Sequence, residues 1–193
     1  MKARKAVNIG LTLFVLVAIV ALYRWTPTLQ DIQQPVAVNG EVGKPVHTPR
    51  FDLTVTGVRT SKKLRVPRTT PDRDTLSDFV VIDATVKATR EPIHISKVQI
   101  RTSDGYTYLG SNRSGLQDVD LTGFQFAPDI PAHGSFVVEM PANKLPGAIL
   151  LVTEKKIFTE LEPQATIPLG VGKDQLAGLQ QDVAILKTTT DLS

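Results

Sequence analysis

A chain of 193 residues has room for one ordinary domain and an appendage, not for two independent cores. Its formal charge of +3 is local in origin: four of its 22 basic residues, Lys2, Arg4, Lys5 and Arg24, flank one apolar run, leaving 18 against all 19 acidic side chains in the remainder. That balance argues against a nucleic-acid partner, and the absence of cysteine excludes disulfides, thiolate metal sites, thiol nucleophiles and a lipidated cysteine.

Residues 6–23 read AVNIGLTLFVLVAIVALY, 18 residues without a charge. As a helix the run is about 27 Å long, close to the hydrocarbon thickness of a bilayer. Three cations precede it and one follows, so the positive-inside rule predicts residues 1–5 in the cytoplasm, a single membrane crossing over 6–23 and everything later outside the cell membrane. In that reading the lipid bilayer is the first partner. Leu11, Phe14 and Leu16 face lipid, and Tyr23 and Trp25 form an aromatic belt at the outer interface. A secretory signal peptide cleaved after Ile19-Val20-Ala21 is the competing reading. The run exceeds the apolar length of such peptides, and the aromatic and basic residues after it suit an interface better than a cleavage site. A buried core helix is a third and poorer reading, because nothing else in the chain is helical enough to pack around it.

Residues 24–49 read as an extracytoplasmic stalk and a first edge strand, with prolines at 27, 35, 45 and 49 favouring extended backbone. From Phe51 the period becomes two, and a phase slip at Gly57-Val58 predicts a bulge. The clearest strand runs from Val80 to Ala88, with Val80, Ile82, Ala84, Val86 and Ala88 on a core face and Asp83, Thr85 and Lys87 on a wet one. Ile93-His94-Ile95 and Val98-Gln99-Ile100 lead to Asp104-Gly105, which fits a two-residue hairpin turn, and then to Tyr106-Thr107-Tyr108. Pro131–Gly134 reads as a turn opening a strand over 136–140, and Ala148–Val152 as a buried strand. Short strands punctuated by turn residues predict an immunoglobulin-like antiparallel β-sandwich over 50–170. In the extension 171–193, a short helix over 173–181, a short strand over 182–187 and a frayed end follow.

The order and wording of these segments, a strand from Phe51 to Arg59, FVVIDATVKATREPIHI, SDGYTY, PAHGSFVVEMP and ILLV, resemble the bacterial telokin-like envelope domain over about Gly40 to Leu169. That immunoglobulin-like family is of largely unknown function and sits behind lipoprotein or transmembrane anchors. The resemblance implies a sandwich, a tether and an envelope accessory or interaction role, and it brings no catalytic residues.

His47, His94 and His133 are spread over a stalk, a strand and a turn, with no metal-ligand spacing. Asp118, Asp120 and Asp129 lack the glycine and bidentate glutamate of a calcium loop. Gly110–Gly115 is no nucleophile elbow, there is no phosphate loop, and Asn112-Arg113-Ser114 matches a glycosylation sequon by coincidence. No cofactor is expected, and an enzyme would need a carboxylate pair, or a histidine and a carboxylate, meeting in a cleft.

Two loops carry the binding potential. Arg59, Lys62, Lys63, Arg65, Arg68 and Arg73 crowd between two strands and offer contact with an acidic partner, headgroup or polymer, the bland alternative being a solvated hairpin loop. Leu116, Val119, Leu121, Phe124 and Phe126 lie within 110–128, either closing one end of the sandwich or forming a contact site. The sequence thus predicts a non-catalytic, membrane-tethered accessory subunit of an envelope or transport complex, partnered by another envelope or membrane protein. The alternative is a carrier or sensor of a small apolar ligand or lipid, with the 110–128 loop lining a pocket between the sheets.

Overall fold

The computed structural model describes residues 2–25, 35–67, 71–110, 116, 119–154 and 162–187. Arg68, Asp118, the Asn112-Arg113-Ser114 triplet, most of the stalk and the end from Thr188 lie outside the described residues. Helix α1 spans Lys2–Trp25, four residues earlier than the apolar run begins. Its described side chains are Leu11 and residues 14–25, and Leu11, Phe14, Leu16, Tyr23 and Trp25 are all exposed. Among the described residues, no helix is long and apolar enough to cross a membrane.

The rest is mainly β. In chain order the strands are β1 (Val36–Asn39), β2 (Val46–His47), β3 (Phe51–Arg65), β4 (Arg73–Ala88), β5 (Ile93–Arg101) and β6 (Thr107–Leu109). They continue with β7 (Gln125–Phe126), β8 (Ala132–Met140), β9 (Ile149–Glu154), β10 (Pro163–Pro168), β11 (Gln180–Gln181) and β12 (Ala184–Ile185). One sheet has the order β1-β10-β9-β5-β6, with β7 also on β5; the other has β11-β3-β4-β8, with β2 and β12 also on β3. Chain neighbours β4 and β5, and again β8 and β9, lie in different sheets, while β4 pairs with β8 and β5 with β9. That exchange is the Greek-key arrangement used by immunoglobulin sandwiches.

The period-two face of β4 enters the core as its sequence requires: Val80, Ile82, Ala84, Val86 and Ala88 pack with Phe51, Phe126 and Phe136 between the sheets. Ile93 and Ile95 are buried and His94 between them is exposed, again as alternation demands. The expected bulge is present, as the β3–β4 register shifts between Val55 and Gly57.

The opposite face of β4 is a correction. Phe79 and Val81 are fully buried and Asp83 is 5% exposed, because Leu116, Ala184 and Leu186 lie over this outer face and form a second core with Leu64, Val66 and Val137. The half of this face at Phe79, Val81 and Asp83 is dry because segments far away in the chain cover it, while Thr85 and Lys87 stay half-exposed.

Two turns also differ. Arg101 still pairs with Thr107, and Thr102 N–H donates to the Tyr106 carbonyl at 2.8 Å, so the hairpin loop has three residues with positive φ at Gly105 alone (89°). Pro131–Gly134 is not a turn: β8 already starts at Ala132, and the reversal falls at Asp129, whose φ is 60°. Gly134 is needed there for space, since a Cβ on it would meet Leu121 Cδ2 at 2.7 Å. Residues 173–179 form a 3-10 turn followed by a four-residue helix, α2 (Leu176–Leu179), after which β11 and β12 run parallel to β3.

The strand directions locate the two ends. β1 is parallel to β10, which is antiparallel to β9, itself antiparallel to β5. The chain therefore enters the sandwich at the end holding the β4–β5 turn. The end of β3 at Arg65 and the start of β4 at Arg73 lie at the opposite end.

Candidate functional site

Arg59, Lys62, Lys63 and Arg65 lie within β3, and Arg73 opens β4, so most of the predicted basic loop is paired strand. The strands persist because Leu64 and Val66, buried at 0% and 2%, point into the second core while Lys62, Lys63 and Arg65 point to solvent. The cations are thereby held by a rigid hairpin, but several are already engaged. Arg59 bonds Asp83 at 2.7 Å, Arg65 grips Asp72 with two bonds of 2.8 and 2.7 Å, and Lys62 lies 3.7 Å from Asp78. The bond from Arg65 holds the Asp72 carboxyl below the usual carboxylate range.

Beside these cations the ladder breaks. The β3–β4 register passes from Ser61↔Phe79 to Lys63↔Asp74, so Lys62 alone stands opposite the segment Thr75–Asp78. A bulge of this size re-aims side chains, and it places Leu76 wholly in solvent at 103% relative exposure. The bulge is tied on all sides. Ser77 N–H donates to Thr75 Oγ1 (3.1 Å), Lys62 Nζ to the Ser77 carbonyl (3.1 Å), Ala142 N–H to Asp78 Oδ2 (2.9 Å), and the Thr75 hydroxyl to the Glu139 carboxylate. Sequence reasoning missed Leu76; its only signal is a lone large apolar residue between Thr75 and Ser77.

The apolar 110–128 group behaves differently. Leu116, Leu121 and Phe126 are buried at 0%, 1% and 0%, Leu121 and Phe126 in the core between the sheets and Leu116 in the second core over β4, so none of them presents a surface. Phe124 remains 37% exposed, edge-on to Phe126 with centroids 5.3 Å apart. Leu121 and Phe126 fill the space between the sheets behind this loop, where a carrier reading places its pocket.

The polar clusters fasten strands. Asp83 receives Lys187 Nζ and the Ser135 hydroxyl at 2.7 Å each as well as Arg59. Burial works to raise its pKa, and the bonds from Lys187, Ser135 and Arg59 outweigh that and hold it below the usual range. Arg59 also donates to the Ile185 carbonyl at 3.2 Å, so the cluster pins the C-terminal strand to β3 and β8. Arg50 bridges the two sheets through bonds of 2.9 and 3.0 Å to Glu154, itself 6% exposed, with Glu91 as a further partner.

Asp120 is the exception. It is 4% exposed; Oδ1 accepts from Thr122 N–H at 2.9 Å and from the Thr122 hydroxyl, and Oδ2 is buried without a hydrogen-bond partner among the described residues. Burial pushes its carboxyl up to about 6, against the smaller opposing effect of Thr122 and Gly123.

His47 pairs with Asp52 and His133 with Thr85, each at 2.7 Å, and His94 is a separate exposed residue. Among the described residues no cluster of three potential metal ligands occurs. A shallow groove of about 420 Å³ lies between α2 and the sandwich, lined by Val42, Val58, Leu169, Val171 and Leu179 with Gly170, Gln175 and Gly178.

No family model matches the chain, and no curated protein matches it. Three solved structures are similar in shape. They are an uncharacterized β-sandwich protein from Clostridium difficile 630 (12% identity, 74% of this chain and 99% of that one, TM-score 0.42), the secreted protein MPT63 from Mycobacterium tuberculosis (16%, 70% and 98%, 0.47), and the yjhA protein from Bacillus subtilis (12%, 67% and 98%, 0.46). All three are too distant to carry an argument about this chain, so the telokin-like resemblance stands on its residues alone.

Proposed function

We propose that this chain is a membrane-tethered, extracytoplasmic docking module without catalytic activity, serving as an accessory subunit to another envelope or membrane protein. The tether rests on the 18-residue uncharged run with three cations before it and one after, a charge asymmetry that orients single crossings. The observation that carries the docking role is the β3–β4 hairpin. It holds exposed Lys62, Lys63 and Arg65 in fixed positions at the end of the sandwich opposite the chain's entry, away from a membrane from which the entry end would hang. Rigid scaffolds that pre-order their contact groups spend little entropy on association.

A non-catalytic role is favoured because the carboxylates whose acidity is strengthened, Glu41, Asp52, Asp72, Asp83 and Asp104, are each held by a basic side chain, and Asp120 is sealed within the fold. The telokin-like resemblance agrees with an envelope accessory role. The test is co-purification of the full chain from gently solubilised membranes. A stoichiometric partner is expected, whose retention falls when Lys62 and Lys63 are both changed to Glu; recovery of the chain as a free monomer would defeat the proposal.

A further inference from the structure

We infer that Leu76 is the apolar anchor of this docking surface, and that the partner is a protein offering an apolar socket rimmed by acidic groups. The inference rests on the docking reading above and names the chemistry of its partner. An isolated exposed leucine on a mobile loop would mean little. Leu76 instead tops a bulge fixed by the Thr75, Ser77, Lys62 and Asp78 bonds, so its position is set before any partner arrives. Leu76 has its whole apolar surface in water, and a partner's socket that covered it would gain the full burial of that side chain.

Charge supplies the rim. Among the described residues of 61–78 four side chains are basic (Lys62, Lys63, Arg65 and Arg73) and three acidic, while the sequence from 25 onward holds 18 basic and 19 acidic in all, so the arm is a mildly positive area on a domain that is otherwise slightly negative. Lys62 stands directly opposite the bulge, and the neighbouring Lys63 is exposed as well. An acidic surface is steered toward such an arm and excluded from the rest of the domain. A protein fits better than a soluble polyanion, since a polyanion has no use for an unpacked leucine.

The experiment places a photoreactive leucine analogue at position 76 in the full chain, in its native membranes. Irradiation is expected to give one discrete protein adduct, and Lys63→Glu, which leaves the bonds of the bulge intact, to lower its yield about tenfold. Leu76→Asp is expected to reduce partner retention comparably while leaving the thermal midpoint unchanged, because the side chain packs against nothing. Adducts with lipid alone, an adduct with a second copy of this chain, a yield indifferent to the charge reversal, or no adduct would each overturn the inference. A partner still retained by the Leu76→Asp chain would overturn it while sparing the docking reading, and no partner with either chain would end both.

Discussion

Replacing Asp83 by alanine is expected to cost about 3–5 kcal/mol of folding stability, the range for removing one partner of a buried ion pair. Lys187 can turn to water, its side chain being 61% exposed, but Arg59 cannot, being 19% exposed with its Nε already buried and without a hydrogen-bond partner among the described residues. Ser135, fully buried, loses its acceptor as well. The loss should be largest where the cluster holds the C-terminal strand. Equilibrium denaturation measures the total, and hydrogen exchange should show faster exchange at the Leu186 and Lys187 amides, which donate to the Arg65 carbonyl and Ser135 Oγ. The sign of the pH dependence follows from the lowered folded pKa: the stabilisation is complete above the unfolded value near 3.9 and is lost as pH falls through the folded one. An alanine variant within about 0.5 kcal/mol of the parent would mean that the cluster does not fasten the fold.

Asp120 should behave in the opposite sense. Its folded pKa, about 6, lies above the unfolded value, so the native state holds the proton that the unfolded state releases. The native carboxyl is therefore costless at low pH, and its destabilisation grows as pH rises from about 4 to about 6. At about 1.4 kcal/mol per pH unit across that window, the penalty levels off near about 3 kcal/mol. Asp120→Asn keeps the acceptor for Thr122 and cannot ionise. It is expected to raise stability at pH 7.5 by about 1–2 kcal/mol, the remainder being lost to its own unsatisfied amide, and to flatten the stability profile between pH 4 and 6. Denaturant midpoints across that window measure both, and an unchanged slope would refute the assignment.

These two carboxylates mark the boundary of what the sequence could reveal. Local alternation was enough to place Val80 to Ala88, to turn His94 away from its isoleucine neighbours and to locate the bulge near Gly57, because each depends only on adjacent residues. Asp83 looked solvated by the same rule and is not. Its cover comes from residues 184–187 and from Leu116, and the period of one strand carries no information about what lies over it. The basic run looked like a loop because Pro67 and Pro71 interrupt it and its charges are dense. It is strand because β4 and the second core supply pairing and burial from a distance.

The candidate site was legible in part. Composition alone singles out the cations on the hairpin, and the apolar residues Leu116, Leu121 and Phe126, which the sequence leaves open between closure and contact, are buried. Leu76 was invisible because its prominence comes from a register break between two strands, and register is a property of pairs.

A domain held outside the membrane by an uncleaved helix is the premise on which the docking role depends, and the absence of cysteine allows a direct test of it. Single cysteines are introduced by Lys2→Cys and by Lys173→Cys, the latter an exposed position far from the tether in sequence, and intact cells stripped of any outer barrier are treated with a membrane-impermeant maleimide. The prediction is labelling at 173 in intact cells, labelling at 2 only after permeabilisation, and retention of both chains in alkaline-washed membranes. Protection of position 173, or release of a shortened chain lacking residue 2, would contradict the tethered arrangement.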